Sequence, residues 1–197
     1  MNTYHFRSAT PADCDVIATA IAISSGGYAQ IGWQEKQKEF PGLTLLEIGS
    51  RMYARDEAPF TWRNCIIAES EQPLGVMLSY GIGPEYASAE STSTDDSDTE
   101  DVFYPARLEA PNTWYICGMT VLEPWRGRGI GTRFIEATRE QAAKHGYDQL
   151  SLLAFEQNQG SVRLYLRNGF EIIDRRRVIP HPLIEYQGDI VLMTAPV

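Results

Sequence analysis

Apolar residues at 74, 76, 78, 80 and 82 alternate with Gly75, Met77, Ser79 and Gly81, the two-residue period of a strand with one face against a core. Residues 64–69 form a shorter apolar run, and the turn at 70–73 makes the two a hairpin. A strand at 4–7 comes first, and the period then changes. Thr10-Pro11-Ala12-Asp13 puts a hydroxyl at the N-cap, proline at the first helical position and an acid two residues on. Val16, Ile17, Ala20 and Ile21 share one helical face, so a helix is expected over 11–24, ended by Ser25-Gly26-Gly27. Residues 32–58 read as two helices broken at Pro41-Gly42, with Leu45, Leu46, Ile48 and Met52 as core of the second. The second half repeats strand then helix. A strand at 113–121 leads to an amphipathic helix at 129–145 closed by Gly146, and a strand at 150–155 leads to a helix at 159–168 closed by Gly169. Strands near 170–178 and 189–194 finish the chain.

The composition narrows the class. Of 197 residues, 43% are hydrophobic and 22% charged, which predicts a soluble globular protein, and the length suits one domain. A formal net charge of -9 opposes nucleic acid and anionic membranes, so neither is an expected partner. No apolar run has the length of a membrane span or a secretory leader. Cys14, Cys65 and Cys117 lie far apart and make no metal-ligand spacing with His5, His145 and His181, so reduced structural thiols, no metal and a cytoplasmic location are expected. The acidity is concentrated: Glu85, Glu90, Asp95, Asp96, Asp98, Glu100 and Asp101 occur without a base in a Ser- and Thr-rich stretch. It reads as an acidic loop insertion at about 84–111, either a solvated surface loop or a negative rim that attracts a cationic substrate.

The densest chemical signal is Pro124-Trp125-Arg126-Gly127-Arg128-Gly129-Ile130-Gly131-Thr132, between a strand and an amphipathic helix. Glycines let backbone amides turn toward an anion, a helix N-terminus adds partial positive charge, and two arginines with no evident packing purpose add full ones. Pyrophosphate is the natural ligand of such a turn. Thr132 stands where a dinucleotide fingerprint needs its last glycine, and the Gly-Lys-Ser/Thr of a nucleotide-triphosphate loop is missing.

Arg126-x-x-Gly129-x-Gly131 resembles the acyl-CoA pyrophosphate loop of the GNAT superfamily of N-acetyltransferases. A second motif agrees in order and spacing: Asn158 after the next strand, then Leu164-Tyr165, then Gly169-Phe170. Proline stands two residues before Arg126, where the family more usually has three. The resemblance spans almost the whole chain except the acidic insertion. It implies a single domain over 1–197 of α/β (α+β) class, with a central mixed, mostly antiparallel sheet of about six or seven strands, flanking helices and a splayed parallel strand pair. It implies an acyltransferase moving an acetyl group from acetyl-CoA, as cosubstrate, directly to an amine without a metal. A non-catalytic acyl-CoA-binding sensor or regulatory protein is the alternative.

The resemblance also distributes roles. Met119, Thr120 and Val121 would pair with the pantetheine amides through backbone groups freed at the splay, and one of their N–H groups would hold the oxyanion. Arg126, Gly127, Arg128, Gly129, Ile130, Gly131 and Thr132 would take the pyrophosphate. Asn158 and Ser161 would hydrogen-bond the pantetheine arm or simply cap a helix. Tyr165 would be catalytic, protonating the departing thiolate. The attacking amine needs a base, for which Tyr115, Glu123 and His181 are candidates. The resemblance admits a homodimer and leaves the acceptor to segments 28–53, 179–188 and the insertion, whose charge would favour a cationic amine.

Overall fold

The computed structural model describes residues 4–56, 59–84 and 101–197. Residues 85–100 of the acidic insertion, with six of its seven named acids, fall outside the described residues; within them Asp101 pairs with Arg107. Seven strands form one mixed sheet: β1 (His5–Ser8), β2 (Cys65–Glu69), β3 (Pro73–Ile82), β4 (Thr113–Val121), β5 (Gln149–Phe155), β6 (Glu171–Arg177) and β7 (Asp189–Pro196). Their order is β1-β2-β3-β4-β5-β7-β6. The helices are α1 (Cys14–Ser24), α2 (Tyr28–Glu35), α3 (Leu45–Tyr53), α4 (Ile130–Lys144) and α5 (Gln159–Arg167). Among the described residues, no helix is long and apolar enough to cross a membrane. The chain divides into two compact units, Met1–Ser79 with Gly118–Phe134 and Tyr80–Cys117 with Ile135–Val197.

In the first unit β1, β2 and β3 pair antiparallel, with a bulge between Ala68 and Glu69. The start of the first helix differs from the sequence reading. Residues Pro11–Asp13 make a 3-10 turn ahead of the α-helix, and the expected acid caps it: Thr10 N–H and the Thr10 hydroxyl both donate to the Asp13 carboxylate, at 2.7 and 2.8 Å. Asp13 is a strong acceptor because it is charged, and it also takes both terminal nitrogens of Arg7 at 2.8 Å. Arg7 donates from Nε to Glu69, which ties β1 to the helix start and to β2.

Two core assignments are corrected in this unit. Ile48 is fully buried as expected, but Leu46 is 46% exposed and Leu45 and Met52 are half-buried, and α3 buries Gly49 and Tyr53 in their place. The phase is set by Trp33 of α2: a Cβ at residue 49 would lie 2.7 Å from its ring, so the glycine face meets the indole. The strand at β3 is not half-buried, since Leu74 through Ser79 are all buried. Gly75 has no outward freedom, because a Cβ there would lie 2.6 Å from the Thr120 carbonyl oxygen and 3.1 Å from the Phe134 ring.

In the second unit β5 and β6 both pair antiparallel with β7. The β6 register shifts between Ile172 and Asp174, which leaves Ile173 55% exposed. Helices α4 and α5 end as expected at Gly146 and Gly169, with φ of 81° and 82°, values that suit a residue without a Cβ. Arg139 of α4 donates from Nη2 to the Asn168 carbonyl at 2.5 Å and from Nε to the Pro196 carbonyl at 3.1 Å, pinning the end of α5 and the end of β7. Strand β4 pairs parallel with β5 only at Trp114↔Leu150, Tyr115↔Ser151 and Ile116↔Leu152. The shortness of that ladder is the feature from which the site is built, since β4 itself continues to Val121.

Candidate functional site

The part of β4 beyond the ladder carries backbone groups in two directions. Leu122 N–H donates to the Leu74 carbonyl at 2.8 Å, so by strand alternation the main-chain groups of Thr120 also face β3. The position of the Thr120 oxygen against Gly75 agrees. Met119 and Val121 therefore turn their N–H and C=O groups to the opposite edge. Thr120, expected beside them as a ligand, is a structural residue: its backbone serves the sheet and its hydroxyl donates to the Ala20 carbonyl of α1 at 2.6 Å. Val121 is half committed, because its carbonyl accepts Arg126 Nε at 2.9 Å.

The glycine-arginine turn follows. Gly127 and Gly129 have φ of 74° and 81°, the left-handed region that only glycine enters cheaply. Those two reversals carry the chain from a 3-10 turn at Glu123–Trp125 directly into α4. The first intrahelical bond is Arg133 N–H to the Gly129 carbonyl at 3.1 Å. The N–H groups of Ile130, Gly131 and Thr132 precede that bond and point out of the helix end. Arg126, Gly127, Arg128 and Gly129 lie around them, exposed or partly so. The arginines do have packing roles, contrary to the sequence reading: Arg126 braces its own loop through Val121, and the Arg128 guanidinium lies 4.7 Å from the centre of the Trp125 ring. Each contact fixes a cation and leaves further N–H donors for a ligand. Helix amides and fixed guanidinium groups form a donor set suited to a pyrophosphate.

The remaining expected residues lie in the second unit. Asn158 caps α5, its Oδ1 accepting Ser161 N–H at 3.2 Å, so both residues have the structural task that was their alternative. The cap uses the side-chain carbonyl of Asn158, and its NH2 is the end able to donate to a ligand. Tyr165 is 7% exposed and lies against Phe170 with ring centres 5.7 Å apart. Burial pushes its phenol up to about 12, which keeps the hydroxyl protonated and able to donate. The motif residues thus fall into two groups: Met119, Thr120, Val121 and the Arg126 to Thr132 turn in the first unit, and Asn158, Ser161 and Tyr165 in the second.

Around Tyr165 the structure adds residues that the sequence did not single out. Tyr80 of β3 and Tyr115 of β4 pack edge to face, with ring centres 5.7 Å apart. Tyr80 donates its hydroxyl to the thiol of Cys117, one strand period after Tyr115. Burial raises the Tyr80 and Tyr115 phenols well above the ordinary value and pushes the Cys117 thiol up to about 12, with the Tyr80 hydrogen bond acting in the opposite direction on the thiol. All three are proton donors at neutral pH, which argues against Tyr115 as a base and against a thiolate at Cys117. The negative charge of Glu109 acts on all three, and Tyr165 acts on Tyr115. Glu109 sits in a segment without periodicity, so only the fold could reveal it. The other two base candidates are elsewhere occupied or distant in character: Glu123 is exposed in its turn, and His181 Nδ1 accepts Leu183 N–H at 3.1 Å. Among the described residues, no three His, Cys, Asp or Glu side chains lie close enough to hold a metal ion together.

Similar solved structures share this architecture. An acetyltransferase matches with a TM-score of 0.65 at 21% identity, covering 98% of this chain and 99% of that one. An N-acetyltransferase from Staphylococcus aureus Mu50 matches with a TM-score of 0.65 at 18% identity, covering 97% and 100%. NAA60 from Arabidopsis thaliana, solved in complex with acetyl-CoA, matches with a TM-score of 0.59 at 17% identity, covering 99% of each. At such identities the likeness speaks to the fold. The family itself is given by the sequence, whose residues 29–170 match the model of the acetyltransferase (GNAT) family, so that the glycine-arginine turn, the short parallel ladder and the Asn158-to-Phe170 motif all fall within the match: the chain belongs to the GNAT acetyltransferase family.

Proposed function

We propose that this protein transfers the acetyl group of acetyl-CoA directly to an amine. The observation that carries the reading is the Arg126 to Thr132 turn, where two reversed glycines and two braced arginines stand beside the three free N–H groups of a helix start. In this reading Ile130, Gly131 and Thr132 bind the pyrophosphate through their amides, Gly127 and Gly129 allow its close approach, and Arg126 and Arg128 neutralise it. Met119 and Val121 pair with the pantetheine amides through their N–H groups, and Met119 also offers its carbonyl. Thr120 is left out because its main chain faces β3. Asn158 donates from its NH2 while still capping α5, and Ser161 holds that cap. Acetyl-CoA supplies an activated thioester, and the protein supplies orientation, an oxyanion donor on β4 and the Tyr165 hydroxyl for the leaving sulfur. The whole chain acting as one transferase domain belongs to this proposal, as does a cytoplasmic setting.

The test is thiol release from acetyl-CoA with a panel of primary amines, run beside calorimetry with CoA. Thiol released in proportion to N-acetylated product supports the transferase. CoA binding with no thiol released by any amine would instead establish an acyl-CoA sensor.

A further inference from the structure

Strand β5 ends at Phe155 and α5 begins at Gln159, so a short turn joins them. Its last residue, Asn158, carries both the cap of α5 and the NH2 group assigned to the pantetheine arm. Inside the turn, Asn158 N–H donates to the Phe155 carbonyl at 2.9 Å and Gln159 N–H to the Gln157 carbonyl at 2.8 Å. The turn is also fastened from a distant segment. Glu156 N–H donates to the Asp189 carbonyl at 2.9 Å, and the side-chain Oε1 of Gln157 accepts Gln187 N–H at 2.9 Å. Between those two anchors lies Gly188, with φ of 83°, and a Cβ there would stand 3.7 Å from Cγ and Nε2 of Gln157. The reversal at Gly188 lets both of its neighbours meet one turn. Residues 187–189 are themselves held. Val178 N–H donates to the Gly188 carbonyl at 2.9 Å, and the Tyr186 ring stacks on Phe155, with centres 4.5 Å and planes 23° apart. Phe155 is 5% exposed, so the anchor stands on the core. All of these residues belong to the second unit.

We infer that Gln157 is a positioning residue for the pantetheine arm: by fastening the turn to the 187–189 backbone it sets where the Asn158 NH2 points. The inference rests on the reading of Asn158 given above. Oδ1 of Asn158 is tied to Ser161 N–H at 3.2 Å, so the direction of the NH2 follows from the place of the 156–158 main chain. Glu156 adds a pair with Arg175 at 3.4 Å, but Gln157 is the neighbour of Asn158 and its bond is the nearer restraint. A donor aimed away from its acceptor loses most of a hydrogen bond, so a small shift of this turn is felt by the arm and not by the phosphates. Gln157 is exposed, and removing its side chain leaves the core untouched.

The experiment measures Kd by calorimetry with two probes: CoA, and adenosine 3′-phosphate 5′-diphosphate, which keeps the phosphates and lacks the arm. Gln157→Leu removes the acceptor at similar size, and Gln157→Glu keeps an acceptor oxygen. The CoA Kd should rise about three- to tenfold in Gln157→Leu and stay within about twofold of wild type in Gln157→Glu, while the armless probe binds all three proteins alike. Asn158→Asp still caps α5 but cannot donate, so it should weaken CoA by a similar factor, and adding Gln157→Leu to it should cause little further loss, because one residue acts through the other. An unchanged CoA Kd in Gln157→Leu, an equal loss for both probes, or full additivity with Asn158→Asp overturns the positioning role and leaves the assignment of Asn158 intact. Wild-type CoA affinity in Asn158→Asp removes Asn158 from the arm and overturns both. Gln157→Ala, which also lacks the acceptor, is judged by the same criteria with thermal unfolding of every variant, so that a folding defect in one leaves the other to decide.

Discussion

Gly131→Asp should separate folding from binding, because the turn imposes opposite signs on the two. Gly131 has no reversed φ and lies in the first turn of α4. Replacing a helical glycine by Asp, itself a weak helix former, recovers about 0.3 kcal/mol of propensity, and an acid in the first turn gains about 0.3–1 kcal/mol from the helix dipole. The folded protein should therefore become more stable by roughly 1 kcal/mol. A bound pyrophosphate meets the opposite effect. One added negative charge about 5 Å from a phosphate charge, at an effective dielectric of about 40, costs roughly 1.7 kcal/mol, and the new carboxylate also competes for the amides of Ile130 to Thr132. The expected outcome is a CoA Kd raised at least tenfold, where tenfold is about 1.4 kcal/mol, together with an equal or higher Tm. Calorimetry and thermal unfolding read the two quantities on one sample. Unchanged CoA affinity in a variant at least as stable as wild type would refute the assignment of this turn to the pyrophosphate.

Tyr165→Phe should slow turnover roughly a hundredfold or more with little change in KM for acetyl-CoA, because the hydroxyl is needed only as negative charge reaches sulfur; single-turnover kinetics with chemistry limiting would show it, and an undiminished rate would return Tyr165 to the core. Gly75→Ala should destabilise by about 1–3 kcal/mol in denaturant unfolding, since its methyl group meets the Thr120 carbonyl of β4 at 2.6 Å and a backbone neighbour yields poorly. Asp13→Asn should cost about 2 kcal/mol at pH 7, where the hydrogen bonds from Arg7 hold the carboxyl at about 2 against an ordinary 3.8. The folded value is the lower one, so this stability is complete above about pH 4 and disappears as the pH falls toward 2; unfolding midpoints for wild type and variant should converge in that window, and a constant gap down to pH 2 would refute the pairing.

The features legible in the sequence are those fixed by local geometry. Strand 113–121 is readable because its apolar run starts directly after Pro111-Asn112 and stops shortly before Glu123-Pro124. Gly127 and Gly129 signal a reversed backbone, and the structure gives both a positive φ. Features fixed by a distant partner are not legible. Nothing in residues 45–53 says that Gly49, and not Leu46, must meet a neighbour, since the indole that sets the phase belongs to α2. The alternation in β3 suggests one wet face, but Gly75 is covered by the main chain of β4 and by Phe134, which contribute no signal near residue 75. Arginines in a glycine turn look free because their partners, the Val121 carbonyl and the Trp125 ring, are revealed only by the turn's conformation.

The same division runs through the chemistry. A cofactor phosphate is bound largely by main-chain N–H groups at a helix start, so its site is written as glycines in a fixed order and survives translation into a motif. Side-chain clusters depend instead on proximity between separate segments, here Tyr80 on β3 and Tyr115 with Cys117 on β4. No spacing rule links residues 80 and 115, because the length of chain between β3 and β4 is free to change without altering the register of either strand. Thr120 marks the boundary between the two cases. The motif names it by position, yet whether its amide faces a ligand or a neighbouring strand depends on the phase of β4 against β3, which the bond from Leu122 to Leu74 reveals. The acceptor end of such an enzyme has to be assigned from coordinates, and the thioester end from sequence only as far as that phase is known.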